Sequence, residues 1–384
     1  MRSLFLWGTC TMLTLACSGP AATPPDGDAG TNDTGTNDSG TTGDSGGPGL
    51  LPVDCRNLSN LKDPACKSPT TYTAATTIGS GPHFVDTLDV VHRGFTDTNR
   101  IIAGLGTKAG GVILAVDVTN GNRTVISGPT VGTGTALPEI FDVQPGPDGW
   151  YALSNGSVWR VDPATGNRTK VWDTAMGVAQ CTFLAAAAIT YDAATGGLAV
   201  GTDGTLYLPI ITQQVNDLGE GLIAVKSGKC TLVSHTGYPM SVNHGTGPVV
   251  LGTKNQLSLR NGKVLALDGN QVGSIDLATG NRTVLSNNQI IGTGPALGGH
   301  TMAVTTDVTA AWTACGGSDG IYVKADLASG NRTGLSPYLG TPLSIGGPWC
   351  TIWMHPTQPL LVVEDANGFA FFDPSTKNSN VFSY

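Results

Sequence analysis

The chain has 384 residues, of which only 12% are charged, and its formal net charge is −8. An acidic balance with so few basic residues excludes a basic, phosphate-gripping surface and with it a nucleic-acid partner. The 54 glycines point to many short strands joined by tight turns rather than to long helices.

The N-terminus reads as an export leader. Arg2 supplies the charge, and residues 4–16 are apolar but too few to span a bilayer permanently. The stretch ends in Leu13-Thr14-Leu15-Ala16-Cys17. A small residue followed by Cys resembles the lipobox of bacterial lipoproteins, with Thr14 where Leu is commonest. That resemblance implies a signal peptide over residues 1–16 and a lipid on Cys17 that ties the protein to a membrane. Ser18 after the Cys implies the outer membrane, on its periplasmic or surface face.

Residues 18–49 are Gly, Thr, Asp, Asn, Ser, Pro and Ala without Lys or Arg. Such a run has too little apolar surface to offset the entropy of ordering it. Residues 17–54 are therefore expected to form a disordered, lipid-anchored tether reaching on the order of 30 Å. Asp26-Gly-Asp28 faintly resembles a calcium loop but lacks the downstream Glu.

Residues 55–384 are expected to form one domain. Of the eight cysteines, Cys10 leaves with the leader and Cys17 carries the lipid. Cys55, Cys66, Cys181, Cys230, Cys315 and Cys350 remain, without the paired CxxC spacing of a zinc site, so disulfides are expected. The pairing of sequence neighbours is 55–66, 181–230 and 315–350.

One phrase sets the architecture. Asp-x-x-(Thr/Ser)-Gly-Asn-Arg-Thr occurs at Asp162, Asp276 and Asp326, and nearly again at Asp117, where Asn120 replaces Thr. Repetition at a period of tens of residues means one small unit is stacked or set in a ring. In the second copy, residues 139–143, 150–154, 157–161 and 168–172 read as strands, with Asn155-Gly156 as a type I′ hairpin turn. Four antiparallel strands in about 45 residues make a β-propeller blade. Asp positions 117, 162, 276, 326 and 373, plus a degenerate site near Lys226, predict an all-β propeller of six four-stranded blades. A seven-bladed ring and an open solenoid are the alternatives. An insertion is expected in residues 212–220. Gly-(Ser/Thr)-Gly-Pro at Gly79, Gly245 and Gly292, with Gly132 as a variant, marks the passage between blades. Residues 71–76 and 381–384 both read as extra outer strands, one of which completes the last blade. The repeated Asp and Gly are turn chemistry, and Arg123, Arg168, Arg282 and Arg332 are expected to brace neighbouring blades.

The Gly-x-Gly-Pro and Asp-x-x-Thr-Gly-Asn-Arg combination resembles the six-bladed superfamily of NHL-repeat and SMP-30/gluconolactonase-like proteins, over residues 70–384. Quinoprotein propellers place a docking Trp three residues after Asp-x-x-Thr-Gly; here only Trp172 approaches, two residues late. The resemblance implies hydrolases, lyases and pure binding modules alike. In SMP-30-like lactonases Glu, Asp and Asn hold a divalent ion at the channel mouth. The matching positions are Asp86, Glu139 and His300, with Asn243 and His244 just before the Gly245 loop and Asp89 and Asp142 on the inner strands. Such a set would suit Ca²⁺ or another divalent metal. The bland alternative is that inner-strand acids, Asp89 and Asp142 above all, bond the neighbouring blade's backbone, and that His83 and His92 bond loops. No nucleophile elbow, P-loop or zinc helix motif is present in the sequence. The sequence therefore favours a binding module for an envelope ligand (protein, glycan or small molecule), with a metal-assisted hydrolase or lyase as the alternative.

Overall fold

In the computed structural model the described residues are 79–82, 90–182, 188–190, 197–214, 217–237, 243–251, 255–299, 301–316, 321–335, 351–365, 368–375 and 379–383. They form six antiparallel sheets arranged as a β-propeller. Each sheet is a meander of four strands paired in chain order, with one added strand in the third. Blade 1 consists of Val90–Asp97, Arg100–Thr107, Gly110–Asp117 and Arg123–Ser127. The other innermost strands are Asp142–Gly146, Ala199–Val200, Asn255–Arg260, Met302–Val304 and Ile352–Met354.

The strands alternate apolar side chains toward both neighbouring blades, because both faces of an interior blade are covered. The result is six apolar clusters, each spanning one seam. Ile102, Ile113 and Ala115 of blade 1 meet Trp150, Ala152 and Val161 of blade 2. The seam that closes the ring joins Ile101, Leu105, Leu114 and Val116 of blade 1 to Trp353, Val362, Phe369 and Phe371 of blade 6. Six seams for six blades settle the count against seven blades or an open stack. The outer strand of the last blade is Ser379–Ser383, so the C-terminal segment does complete it. Residues 71–76 lie outside the described residues.

Type I′ turns sit where Asn-Gly predicted one. Asn155 and Gly156 have φ of 42° and 72°, the left-handed region that this turn requires. One strand boundary differs from expectation. The first strand of blade 2 is Asp142–Gly146 rather than 139–143, and it runs through Pro145 to pair Gly146 with Gly149. An innermost strand is a sheet edge, so a proline there costs no ladder bond. The expected insertion in blade 3 is an overlong hairpin, Leu206–Gln214 paired with Asp217–Lys226. Its overhang is covered by Ala188–Thr190, which pairs with Ile211 to Gln213 and makes this sheet five-stranded.

The repeated phrase is a clamp. Asp162 accepts the Ala164 N–H on its side chain and the Gly166 N–H on its carbonyl, which closes the turn. Asn167 Oδ1 then accepts both the N–H and the hydroxyl of Thr133, each at 2.8 Å. The Arg168 guanidinium donates to Ser127 Oγ and to the carbonyls of Thr135, Gly128 and Val131 at 2.8–3.0 Å. One blade thus grips the chain arriving from the blade before it. Arg282 repeats this on Ser234, His244, Gly247 and Pro248, and Arg332 on Ser286, Ile291, Gly294 and Pro295. Arg123 holds Pro82. Glycine is needed at the contact, since a Cβ on Gly132 would lie 2.0 Å from the Gly166 carbonyl oxygen and its φ is +79°.

Among the described residues blade 3 shows no such clamp. Its third hairpin closes on Ser227-Gly228, with φ of 49° and 73°. The passage from blade 2 is instead a short helix, Thr174–Gln180, capped by the Asp173 side chain on the Met176 N–H. The helix ends on Cys181, which is bonded to Cys230 in the outer strand Lys229–Gly237. This is the expected 181–230 pair. Cys17, Cys55, Cys66 and Cys350 lie outside the described residues, as does the side chain of Cys315. The cross-link closes 49 residues of chain. Its reduction is expected to lower unfolding stability by about 3 kcal/mol, read as a shift of the urea midpoint with and without dithiothreitol. An unchanged midpoint would mean the bond carries no stability.

Candidate binding site at the hub

The innermost strands of all six blades surround a recess of about 880 Å³. It collects residues near the ends of those strands: Thr96, Pro147, Thr202, Arg260, Val304 and Met354 among them. Its wall mixes polar residues such as Gln144, Thr202 and Ser258 with apolar ones such as Phe95, Val304 and Met354. No helix among the described residues is long and apolar enough to cross a membrane.

Of the carboxylates expected from the sequence, the two that are described, Asp142 and Glu139, serve the seams. Asp142 is fully buried. Its Oδ2 accepts the Leu198 N–H of the next blade at 3.0 Å, and its Oδ1 accepts Gln144 Nε2 at 2.8 Å. Burial pushes its pKa up to about 6, with the nearby Arg93 charge opposing. This is the bland alternative drawn from the sequence. Gln256 does the same at the seam of blades 4 and 5, its side-chain oxygen accepting the Met302 N–H.

Glu139 is half-buried, and its Oε1 hydrogen-bonds His92 Nε2 across the seam of blades 1 and 2 at 2.7 Å. Burial lowers the His92 pKa, and Glu139 works against that shift. The His92 ring also packs 5.0 Å from Phe141. Asn243 Oδ1 lies 3.2 Å from His235 Nδ1, and the His244 carbonyl accepts Arg282. Both therefore belong to the clamp at the seam of blades 3 and 4. Asp86, Asp89, His83 and His300 lie outside the described residues. Among the described residues no three His, Cys, Asp or Glu side chains come together as donors for a metal.

The sequence reading missed the recess lining. Arg260 ends an innermost strand just before Asn261-Gly262, the same hairpin signal that was read in blade 2. That signal places Arg260 at the hub once the blade phase is known.

The raised pKa of Asp142 gives a pH dependence. An unfolded Asp titrates near 3.9, so the folded form binds its proton more tightly. Stability is then fully present below about pH 4 and is lost as pH rises through about 6, by roughly 2–3 kcal/mol. Asp142→Asn should flatten this part of the stability curve between pH 4 and 7, measured by chemical denaturation. An unaltered curve would show that Asp142 is not its source.

No protein-family model matches the chain, and no curated protein matches it. Structural likenesses are found to solved propeller proteins. A Bacteroides thetaiotaomicron protein of unknown function is 15% identical over 81% of this chain and 74% of its own, with a TM-score of 0.44. Regucalcin, a calcium-binding protein from Agrobacterium tumefaciens, is 14% identical over 72% and 82%, with a TM-score of 0.43. An oligogalacturonate lyase in complex with manganese is 14% identical over 79% and 76%, with a TM-score of 0.43. These are likenesses of fold.

Proposed function

We propose that this protein is an exported, lipid-anchored binding module whose ligand enters the hub recess. One observation carries the reading: a recess of about 880 Å³ bounded by all six blades, while Asp142, Glu139 and His92 are engaged in holding seams. The disulfide between Cys181 and Cys230 supports an oxidising compartment. The lipobox-like Leu15-Ala16-Cys17 supports the anchor.

Two experiments test the two halves. A library of small polar metabolites, screened by ligand-observed NMR against the full chain, should yield hits that disappear in Thr202→Trp. Thr202 is an exposed turn residue on the recess wall, so an indole there intrudes into the cavity without entering the core. Hits indifferent to this plug, or no hits at millimolar concentration, would refute the hub as the site. For the anchor, Cys17→Ser should move the protein from the membrane to the soluble fraction, and a variant that stays membrane-bound refutes lipidation.

A further inference from the structure

The chemistry of the ligand follows from the two charged side chains of the recess wall, and it rests on the hub being the binding site. Those side chains are Asp203 and Arg260. Asp203 is already neutralised. Its Oδ2 accepts Lys226 Nζ at 2.6 Å and its Oδ1 accepts the Thr205 N–H at 3.1 Å, and these bonds hold its carboxyl well below the usual range. Arg260 donates to its neighbour's carbonyl, Leu259 O, at 2.9 Å.

The other described arginines are all accounted for. Arg123, Arg168, Arg282 and Arg332 are buried among carbonyls. Arg100 and Arg160 each bind an Asp, and Arg93 sits within the field of Asp142. Among the described arginines, Arg260 alone has neither a carboxylate nor a set of carbonyls around its guanidinium. It is exposed to solvent, yet burial lowers its pKa. Its place on the recess wall accounts for both. A guanidinium keeps its charge there and offers up to about five donors in a planar fork.

We propose that the hub recess takes a small organic oxyanion, a carboxylate or phosphate, with two of its oxygens on the Arg260 fork and its neutral polar part against Thr202 and Ser258. The fork matches two oxygens of one acidic group, and the protein-lined recess strengthens the attraction relative to open water.

The test uses the full chain and isothermal titration calorimetry at low salt. Citrate is the carboxylate probe, inorganic phosphate the second oxyanion, and maltotriose the uncharged control. Citrate or phosphate should bind the wild-type chain, and the tighter of the two names the acidic group. Arg260→Gln should weaken that binding on the order of tenfold or more, while Arg260→Lys, a point charge without the fork, should retain part of it. Thr202→Trp should block it. Binding of neither oxyanion, or equal binding by Arg260→Gln, overturns the proposal. Maltotriose binding that Thr202→Trp blocks and Arg260→Gln leaves alone overturns the anion chemistry but keeps the hub as the site. Arg260-dependent citrate binding that ignores Thr202→Trp overturns the hub itself.

Discussion

Arg282→Ala should destabilise the protein by about 4 kcal/mol, far more than an ordinary surface arginine. Its guanidinium is nearly excluded from solvent and donates to Ser234 Oγ, His244 O, Gly247 O and Pro248 O. Hydrogen bonds to a charged group contribute ~1.5–3 kcal/mol each, and orphaned buried acceptors add a desolvation cost. Part of that loss is recovered as the loop relaxes and water enters, which brings the sum down to a few kcal/mol. Arg282→Lys should recover little, because an ammonium cannot reach acceptors set around a planar fork. Arg160→Ala is the control. Arg160 is exposed and its pair with Asp148 at 2.7 Å is open to solvent, so the expected loss is under about 1 kcal/mol. Equal losses for Arg282 and Arg160 in urea denaturation would show that the clamp is ornamental.

Phe371→Ala is the second large effect, also expected at about 4 kcal/mol. Adjacent strand residues point to opposite faces, and blade 6 uses this fully. Phe371 packs into the seam with blade 1, and Phe372 into the seam with blade 5. Removing the Phe371 ring leaves a cavity in the contact that closes the ring. The unfolding transition should broaden as well, since blades 1 and 6 lose their direct coupling. A loss under about 1 kcal/mol with an unchanged slope would mean that closure does not depend on this seam.

The fold was legible because its instructions are local. Asp162 to Arg168 contains the turn, the left-handed Gly166 and both clamp side chains within seven residues, and the neighbouring Gly132 loop bears its own signature. Asn155-Gly156 fixes a hairpin by itself. The site was less legible because a hub gathers single residues from six distant segments. Arg260, Thr202 and Thr96 share a wall with no periodic signal in common. Glu139 drew notice as a ligand, but its partner His92 lies 47 positions away, and no spacing rule links them. Asp142 was readable as structural because Phe141 and Val143 flank it, and an acid set between apolar neighbours is an acid meant for burial.

The seam between blades 2 and 3 is unlike the clamped ones. Among the described residues it lacks the Asn-Arg grip, and beside its apolar cluster it is fastened by Cys181–Cys230 and the Asp142 bond to Leu198. Both fasteners answer to the surroundings, one to thiols and the other to protons. A ring that meets a reductant would therefore loosen at this joint first, like a bracelet at its clasp, while the arginine-gripped joints stay shut. The covalent fastener confines the tightest form of this protein to places where thiols are oxidised.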